Sequence, residues 1–316
     1  MITTITLNPA VDKAVIIPHF AVGEVNRIAS IRLDAGGKGL NVARVLHQLG
    51  APVRAVAPVA GSAGRFLVER MGQEGIAFDF LEVGGESRTN LKVVDPVLGT
   101  HTDINEPGPG LTGADLERVG RKVLEGLTTG DWVVFSGSVP AGVPRDIYAS
   151  WIADARARGA RTALDADGDL LARGLEGRPD LVKPNRSELE AWAGSPLKND
   201  DDLFEAVRRL RAGGADTVAV SLGADGAWLF WGDQAWFAPG LRVSAQSTVG
   251  AGDALVASLT WGLAGNGDPG AVLARAVATA TASVVRPGTG AGSPQDIKEF
   301  LARVAVQKQS FSWRKS

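Results

Sequence analysis

Hydrophobic and polar positions follow two rhythms along this chain. Short apolar runs rich in β-branched residues occupy positions 2–7, 53–59, 132–135, 161–164, 181–183 and 217–222. Their length and scarcity of polar interruptions predict strands, most of them buried on both faces. Between them the period lengthens. Val42, Val45, Leu46 and Leu49 fall at i, i+3, i+4 and i+7 over 38–49, the stripe of an amphipathic helix. Ile297, Phe300, Leu301 and Val304 repeat that stripe over 296–303 and predict a final covering helix. Segments 254–263 and 271–285 are apolar nearly all round, as helices buried against a sheet should be. Strands and helices in alternation predict an α/β fold, three layers deep, with a mostly parallel central sheet between helices.

Two regions break the alternation. Positions 11–33 and 88–104 are extended, polar-interrupted stretches with no helix between their strand-like runs. They predict a small β-sheet outside the main one, so the chain reads as a single domain over 1–316 with a lid formed by about 11–35 and 88–105. A hinged cover serves chemistry from which bulk water must be excluded. The polar, basic tail 307–316 is expected to fray.

Composition narrows the field. Of the 316 residues 45% are hydrophobic and 22% charged, and no apolar run reaches 18 residues, so a soluble protein with no membrane association is expected. The N-terminus lacks a basic segment followed by an apolar core, which fits a cytoplasmic location. A net charge of -2 gives no general attraction to nucleic acid. With no cysteine there is no disulfide, thiolate nucleophile or cysteine metal site, and His19, His47 and His101 lack ligand spacing.

The candidate chemistry lies in glycine-bearing segments. Ser247-Thr248-Val249-Gly250-Ala251-Gly252-Asp253-Ala254 opens a buried helix. Small residues there leave backbone N–H groups uncovered where the helix dipole favours an anion, and Asp253 stands beside them. Such a carboxylate can take a proton from an attacking hydroxyl while the N–H groups hold charge on a transferred phosphate. The competing reading is an ordinary helix cap. Asp34-Ala35-Gly36-Gly37-Lys38-Gly39-Leu40-Asn41 sets a cation and a carboxamide in a glycine turn. Lys38 can pair with a phosphate or hydroxyl, and Asn41 can donate and accept together; the alternative is a plain strand-to-helix turn. Asp12 follows the first strand, where open α/β sheets bind ligands, and suits two neighbouring sugar hydroxyls, unless it is a simple turn residue.

Arg88 and Lys92 lie four apart, on one face of a strand, and suit a phosphate-bearing sugar; solvated edge charges are the rival reading. In Lys183-Pro184-Asn185-Arg186-Ser187-Glu188, Asn185 and Glu188 have the spacing of a capping box. Functionally, that segment would meet the nucleotide, with Asn185 and Glu188 near hydrated Mg2+. Ser221-Leu222-Gly223-Ala224-Asp225-Gly226-Ala227 is either a hairpin turn or a bed of small residues for the nucleotide, with Ser221, Gly223 and Gly226 facing it.

In company, these segments resemble the ribokinase and phosphofructokinase B family of sugar kinases over nearly the whole chain. Its two signatures correspond to Gly36-Gly37-Lys38-Gly39-Leu40-Asn41-Val42-Ala43 and Val249-Gly250-Ala251-Gly252-Asp253. The resemblance implies a ribokinase-like α/β/α core with a β-lid, MgATP as donor, Asp253 as base and the Gly250, Ala251 and Gly252 amides as anion hole. Thr6-Leu7-Asn8-Pro9-Ala10-Val11-Asp12, Asn105-x-Pro107-Gly108-Pro109 and Ser136-Gly137-Ser138-Val139-Pro140 look like the branch acting on ketohexose phosphates. By that likeness Asp12 and Asn41 hold sugar hydroxyls, Lys38, Arg88, Lys92 and Ser138 lie near the sugar phosphate, and Gly37 adds backbone to the same pocket.

D-Fructose 1-phosphate is the expected acceptor, with tagatose 6-phosphate and fructose 6-phosphate as alternatives. A non-catalytic sugar-phosphate sensor is the reading from another class, and it would not need Asp253. A homodimer through the lid is a further family-like expectation. Ala254 and Ser258 stand where the second signature more often has Ser and Gly, and Asp165-Ala166-Asp167-Gly168 replaces a commoner Asp-Thr-Ser-Gly.

Overall fold

The computed structural model describes residues 1–286, 288 and 291–311. In chain order its strands are β1 (Ile2–Ile5), β2 (Ala10–Ile16), β3 (Ser30–Gly36), β4 (Val53–Val59), β5 (Ala77–Glu82), β6 (Arg88–Asp95), β7 (Thr100–Asn105), β8 (Trp132–Ser136), β9 (Arg161–Asp165), β10 (Leu181–Val182), β11 (Thr217–Ser221), β12 (Gly226–Trp231), β13 (Gln234–Pro239) and β14 (Gln307–Ser310). The helices are α1 (Lys38–Gln48), α2 (Gly61–Gln73), α3 (Gly113–Leu124), α4 (Ile147–Ala157), α5 (Gly168–Gly174), α6 (Arg186–Ala193), α7 (Asp200–Ala212), α8 (Ala251–Ala264), α9 (Pro269–Val284) and α10 (Pro294–Leu301).

Every strand predicted from an apolar run lies in one ten-stranded sheet, ordered β14-β13-β12-β11-β10-β9-β8-β1-β4-β5. From β11 to β5 neighbouring strands are parallel, and β12, β13 and β14 continue the edge antiparallel. Alternate side chains feed two cores. Val133 and Phe135 pack with Val119, Tyr148, Ile152 and Val207 from the α3–α7 side. Trp132 and Val134 pack with Leu40, Leu46, Leu259 and Leu273 from the α1, α8 and α9 side. A buried aromatic such as Phe135 contributes about 3–5 kcal/mol against truncation to Ala.

The end of the chain corrects the sequence reading. Gln307–Ser310 does not fray but pairs with β13, and Phe311 packs 4.8 Å from Phe230 and 5.5 Å from Phe204, ring to ring. The side chains of β14 are all exposed, so backbone pairing and one aromatic anchor hold it, and hydropathy carries no trace of that. Positions 312–316 lie outside the described residues.

The two irregular regions form a separate four-stranded sheet, ordered β3-β2-β6-β7. Its register sets Asp12 opposite both Asp34 and Asn90, and Ala10 opposite Arg88. One face therefore carries Asp12, Asp34, Arg88, Asn90, Lys92, Asp103 and Asn105, all of which line the large cleft. Ile31, Leu33 and Ile104 alternate with these residues and are exposed. Opposite, the cleft is closed by residues at or just beyond the C-terminal ends of β9, β10 and β11 and by the N-terminus of α8. No helix among the described residues is long and apolar enough to cross a membrane.

Candidate active site

The cleft has a volume of about 1280 Å3, and its floor is built on the start of α8. Gly250 precedes that helix with φ of 85°, a left-handed conformation that costs glycine nothing. The N–H groups of Gly250, Gly252 and Asp253 have no hydrogen-bond partner among the described residues. Ala251 is different: its N–H reaches back 3.5 Å to the Thr248 carbonyl, so the bare donors are fewer than the sequence suggested. Two glycines in this turn keep side chains out of the cradle.

Asp253, in the first turn of α8, does not cap it. Its Oδ2 accepts a 2.8 Å hydrogen bond from Asn41 Nδ2, and the carboxylate is only 6% exposed. Helix α1 packs on α8, which is how the two glycine motifs meet. Arg44 Nη1 donates to Asn41 Oδ1 at 2.9 Å while Arg44 Nε bonds Glu74, and this chain fixes which way the Asn41 amide points. Asn41, expected to hold sugar hydroxyls, thus has both polar ends engaged with protein. Burial, then the nearby Asp165 charge, push the Asp253 pKa up to about 6 against that hydrogen bond.

Beneath lies a buried charge cluster. Asp165 ends β9 with 1% exposure, and its Oδ1 stands 3.2 Å from Lys183 Nζ and 3.7 Å from Lys38 Nζ. Ser136 Oγ donates to its Oδ2 at 3.2 Å. Burial opposes ionisation of Asp165, but the Lys183 and Lys38 ammonium groups hold its pKa below the ordinary carboxylate value. Burial likewise opposes the Lys38 charge, and Asp165, Glu188 and Asp253 together more than offset it. Lys183, 4% exposed, lies 3.7 Å from where a β-carbon on Gly252 would stand, so its charge underlies the glycine cradle.

The facing wall comes from the second sheet. Asn90 Nδ2 donates to Asp12 Oδ1 at 3.0 Å, and the Asn90 side-chain oxygen Oδ1 is buried with no partner among the described residues. Burial raises the Asp12 pKa, opposed by Asn90 and Arg88. Arg88 Nε bonds the Asn8 carbonyl at 3.2 Å, while Lys92 pairs with Asp103 at 3.3 Å. Gly37, with φ of 117°, brings its backbone against Thr6 and Pro9. Of the residues expected at the sugar, Ser138 alone is absent from the cleft lining: it is exposed and meets Asn8 Nδ2 at a long 3.5 Å.

The residues expected at the nucleotide, Lys183, Asn185, Glu188, Ser221, Gly223 and Gly226, all line the cleft. Asn185 and Glu188 do form the capping box of α6. Their reciprocal bonds use Asn185 Oδ1 and Glu188 Oε2, leaving Glu188 Oε1 facing Lys38 Nζ at 3.8 Å. No cluster of three or more His, Cys, Asp or Glu among the described residues could chelate a metal directly. One carboxylate oxygen and an amide fit a hydrated magnesium carried in on nucleotide phosphates, and do not fit a dehydrated one. The Asp-Gly segment is also a hairpin: a 3-10 turn over Gly223–Asp225 joins β11 to β12.

Sequence reasoning assigned no role to Asp165, which it noted only as part of a segment departing from the family pattern, nor to Asn90 or Arg44. Asp165 carries the same signal that singled out Asp12, a carboxylate at the end of an apolar strand. Asn90 shares the strand face of Arg88 and Lys92. Arg44 had no signal in the sequence: it follows the glycine turn by a helical turn and meets the site by bonding Asn41.

Comparison with known proteins agrees with this geometry. The profile described as pfkB family carbohydrate kinase matches residues 2–296. A 1-phosphofructokinase of Rhodobacter capsulatus is 43% identical over 259 residues, covering 82% of each chain. One of Xanthomonas campestris pv. campestris is 40% identical, covering 96% of this chain and 97% of its own. Among solved structures, phosphofructokinase-2 from Escherichia coli in complex with substrates and products superposes with a TM-score of 0.90 at 32% identity, covering 96% of this chain and 98% of that one. The motif pair, the ribokinase-like architecture and the full-length similarity converge: the chain belongs to the pfkB family of carbohydrate kinases.

Proposed function

We propose that this protein is a 1-phosphofructokinase, converting MgATP and D-fructose 1-phosphate to ADP and D-fructose 1,6-bisphosphate. Homologues of that name at about 40% identity over nearly the full length support the activity. The observation that carries the mechanism is a buried carboxyl group, Asp253, hydrogen-bonded to Asn41 and seated at a glycine-lined helix N-terminus.

Asp253 takes the proton of the C6 hydroxyl as that oxygen attacks the γ-phosphorus. The new O–P bond forms as the bond to the β,γ-bridging oxygen breaks, and ADP leaves. A pKa near 6 keeps the base ionised at neutral pH while making it more basic than an ordinary aspartate. The free N–H groups of Gly250 and Gly252 face the charge that develops on the transferred group, with Lys183 behind them. Asp12 and the orphaned Asn90 Oδ1 accept from sugar hydroxyls, and Arg88 and Lys38, with Lys92 more weakly, meet the sugar phosphate. Asn185 and Glu188 would hold the water shell of magnesium, which when bound neutralises charge on the β- and γ-phosphates. The four-stranded sheet acts as the lid that keeps water from competing as acceptor.

An ADP-release assay across D-fructose 1-phosphate, fructose 6-phosphate, tagatose 6-phosphate and fructose tests the reading. The highest kcat/KM is expected for fructose 1-phosphate. Preference for a 6-phosphate would overturn the substrate assignment, and binding without turnover of any sugar would favour a sensor.

A further inference from the structure

The kinase reading leaves the buried Asp165 without a task. Asp165 does not need to touch a substrate to matter, because both lysines of the cluster meet the same oxygen of its carboxylate. Without that oxygen the buried Lys183 ammonium would have only the half-buried Lys38 ammonium across from it. Lys183 would then have no carboxylate within 4 Å among the described residues, whereas Lys38 would keep Glu188. The orientation of Asp165 is itself fixed, since Ser136 Oγ holds its second oxygen and β9 delivers it from the middle of the sheet.

We propose that Asp165 is a positioning residue for phosphoryl transfer, holding the Lys38 and Lys183 ammonium groups in place beside Asp253 and beneath the glycine cradle. This rests on the proposed kinase activity. Its negative charge also belongs to the set that surrounds the base. From α1 come Asn41 and Lys38, from β9 Asp165 and from β10 Lys183. Asp165 is the member of that set whose charge makes it harder for Asp253 to lose its proton. Replacing it by a neutral isostere leaves two cations near the base and loosens both.

The test compares the full-length protein with Asp165→Asn, Lys183→Gln and the double variant, using MgATP and D-fructose 1-phosphate, with ADP release read from pH 5 to 8. Folding is checked by thermal melts. Asp165→Asn is expected to lower kcat about tenfold or more and to move the acid limb of kcat/KM to lower pH by about half a unit or more. Its effect on log kcat should be smaller when Lys183 is already Gln, because one of the two side chains it positions is gone. A purely structural role would lower the folded fraction and leave the limb where it was.

A folded Asp165→Asn with kcat within twofold of wild type, or with an unmoved limb, overturns the proposal. If that variant does not fold, Lys183→Gln and the double variant decide: the limb of the double variant must lie below that of Lys183→Gln, and coincidence overturns the proposal. Absence of ADP release from the wild-type protein with every sugar phosphate would instead refute the kinase reading itself.

Discussion

Replacing Asp253 by Asn should inactivate the protein and stabilise it at neutral pH. The carboxyl is buried, and its pKa is raised from 3.8 to about 6 in the folded chain. A group whose folded pKa is raised favours the fold when protonated. That contribution is complete below the unfolded value of 3.8 and is lost as pH rises through the folded value. At pH 7.5 the loss amounts to ~3 kcal/mol, and at pH 5 to about half of that. Asn is neutral throughout and can still accept from Asn41, so Asp253→Asn escapes the penalty. For a chain of this size ~3 kcal/mol corresponds to roughly 4–5 °C in Tm. Calorimetry at both pH values, with kcat measured on the same samples, checks the reasoning. The expected result is a Tm gain that shrinks on acidification, beside a kcat lowered about 10²-fold or more. A gain of equal size at both pH values, a destabilised variant, or near-normal turnover would refute it.

For the wild-type protein, kcat/KM should fall below about pH 6, losing close to tenfold per pH unit as Asp253 takes up its proton; a flat profile from pH 5 to 8 would count against this base. Arg88→Ala should raise KM for fructose 1-phosphate about tenfold or more with a smaller change in kcat, and Lys92→Ala, whose side chain is already paired with Asp103, should do less. Gly39→Ala would drive a β-carbon into the Ile5 carbonyl and separate α1 from β1, so a loss of about 1–3 kcal/mol is expected in urea unfolding. Ile31, Leu33 and Ile104 lie exposed on the second sheet and are expected to be covered in a homodimer. Sedimentation showing only monomers at micromolar concentration would exclude it.

The sequence disclosed most where hydrophobic burial and conformational need coincide. The apolar runs located the central strands because those strands are buried on both faces; Asp253 and Lys38 stood out because glycine turns beside helices leave few other uses for a charge, and Asp12 because it is a carboxylate following the first strand. Strands β5, β13 and β14 were not read. They lie at or beside the sheet edges, where one face is solvated or where backbone pairing does most of the holding. Within the site, the sequence marked the participants but not their partners. Asn41 looked like a ligand for sugar hydroxyls, and only the packing of α1 on α8 reveals that its amide bonds the Asp253 carboxylate. Asp165 was noted but given no role, because nothing in the linear chain says that two lysines, one before and one after it, converge on a single oxygen.

The hydrogen bond between Asn41 and Asp253 joins residues separated by 212 positions. The cleft wall from Asp12 to Asn105 is made long before Asp253 is. A growing polypeptide therefore completes the wall proposed to face the sugar well before it gains the carboxylate proposed as the base. On the proposed mechanism, products truncated before α8 lack Asp253 and are expected to release no ADP with any sugar phosphate, and the full-length chain needs α8 docked against α1 to bring Asn41 to that carboxylate.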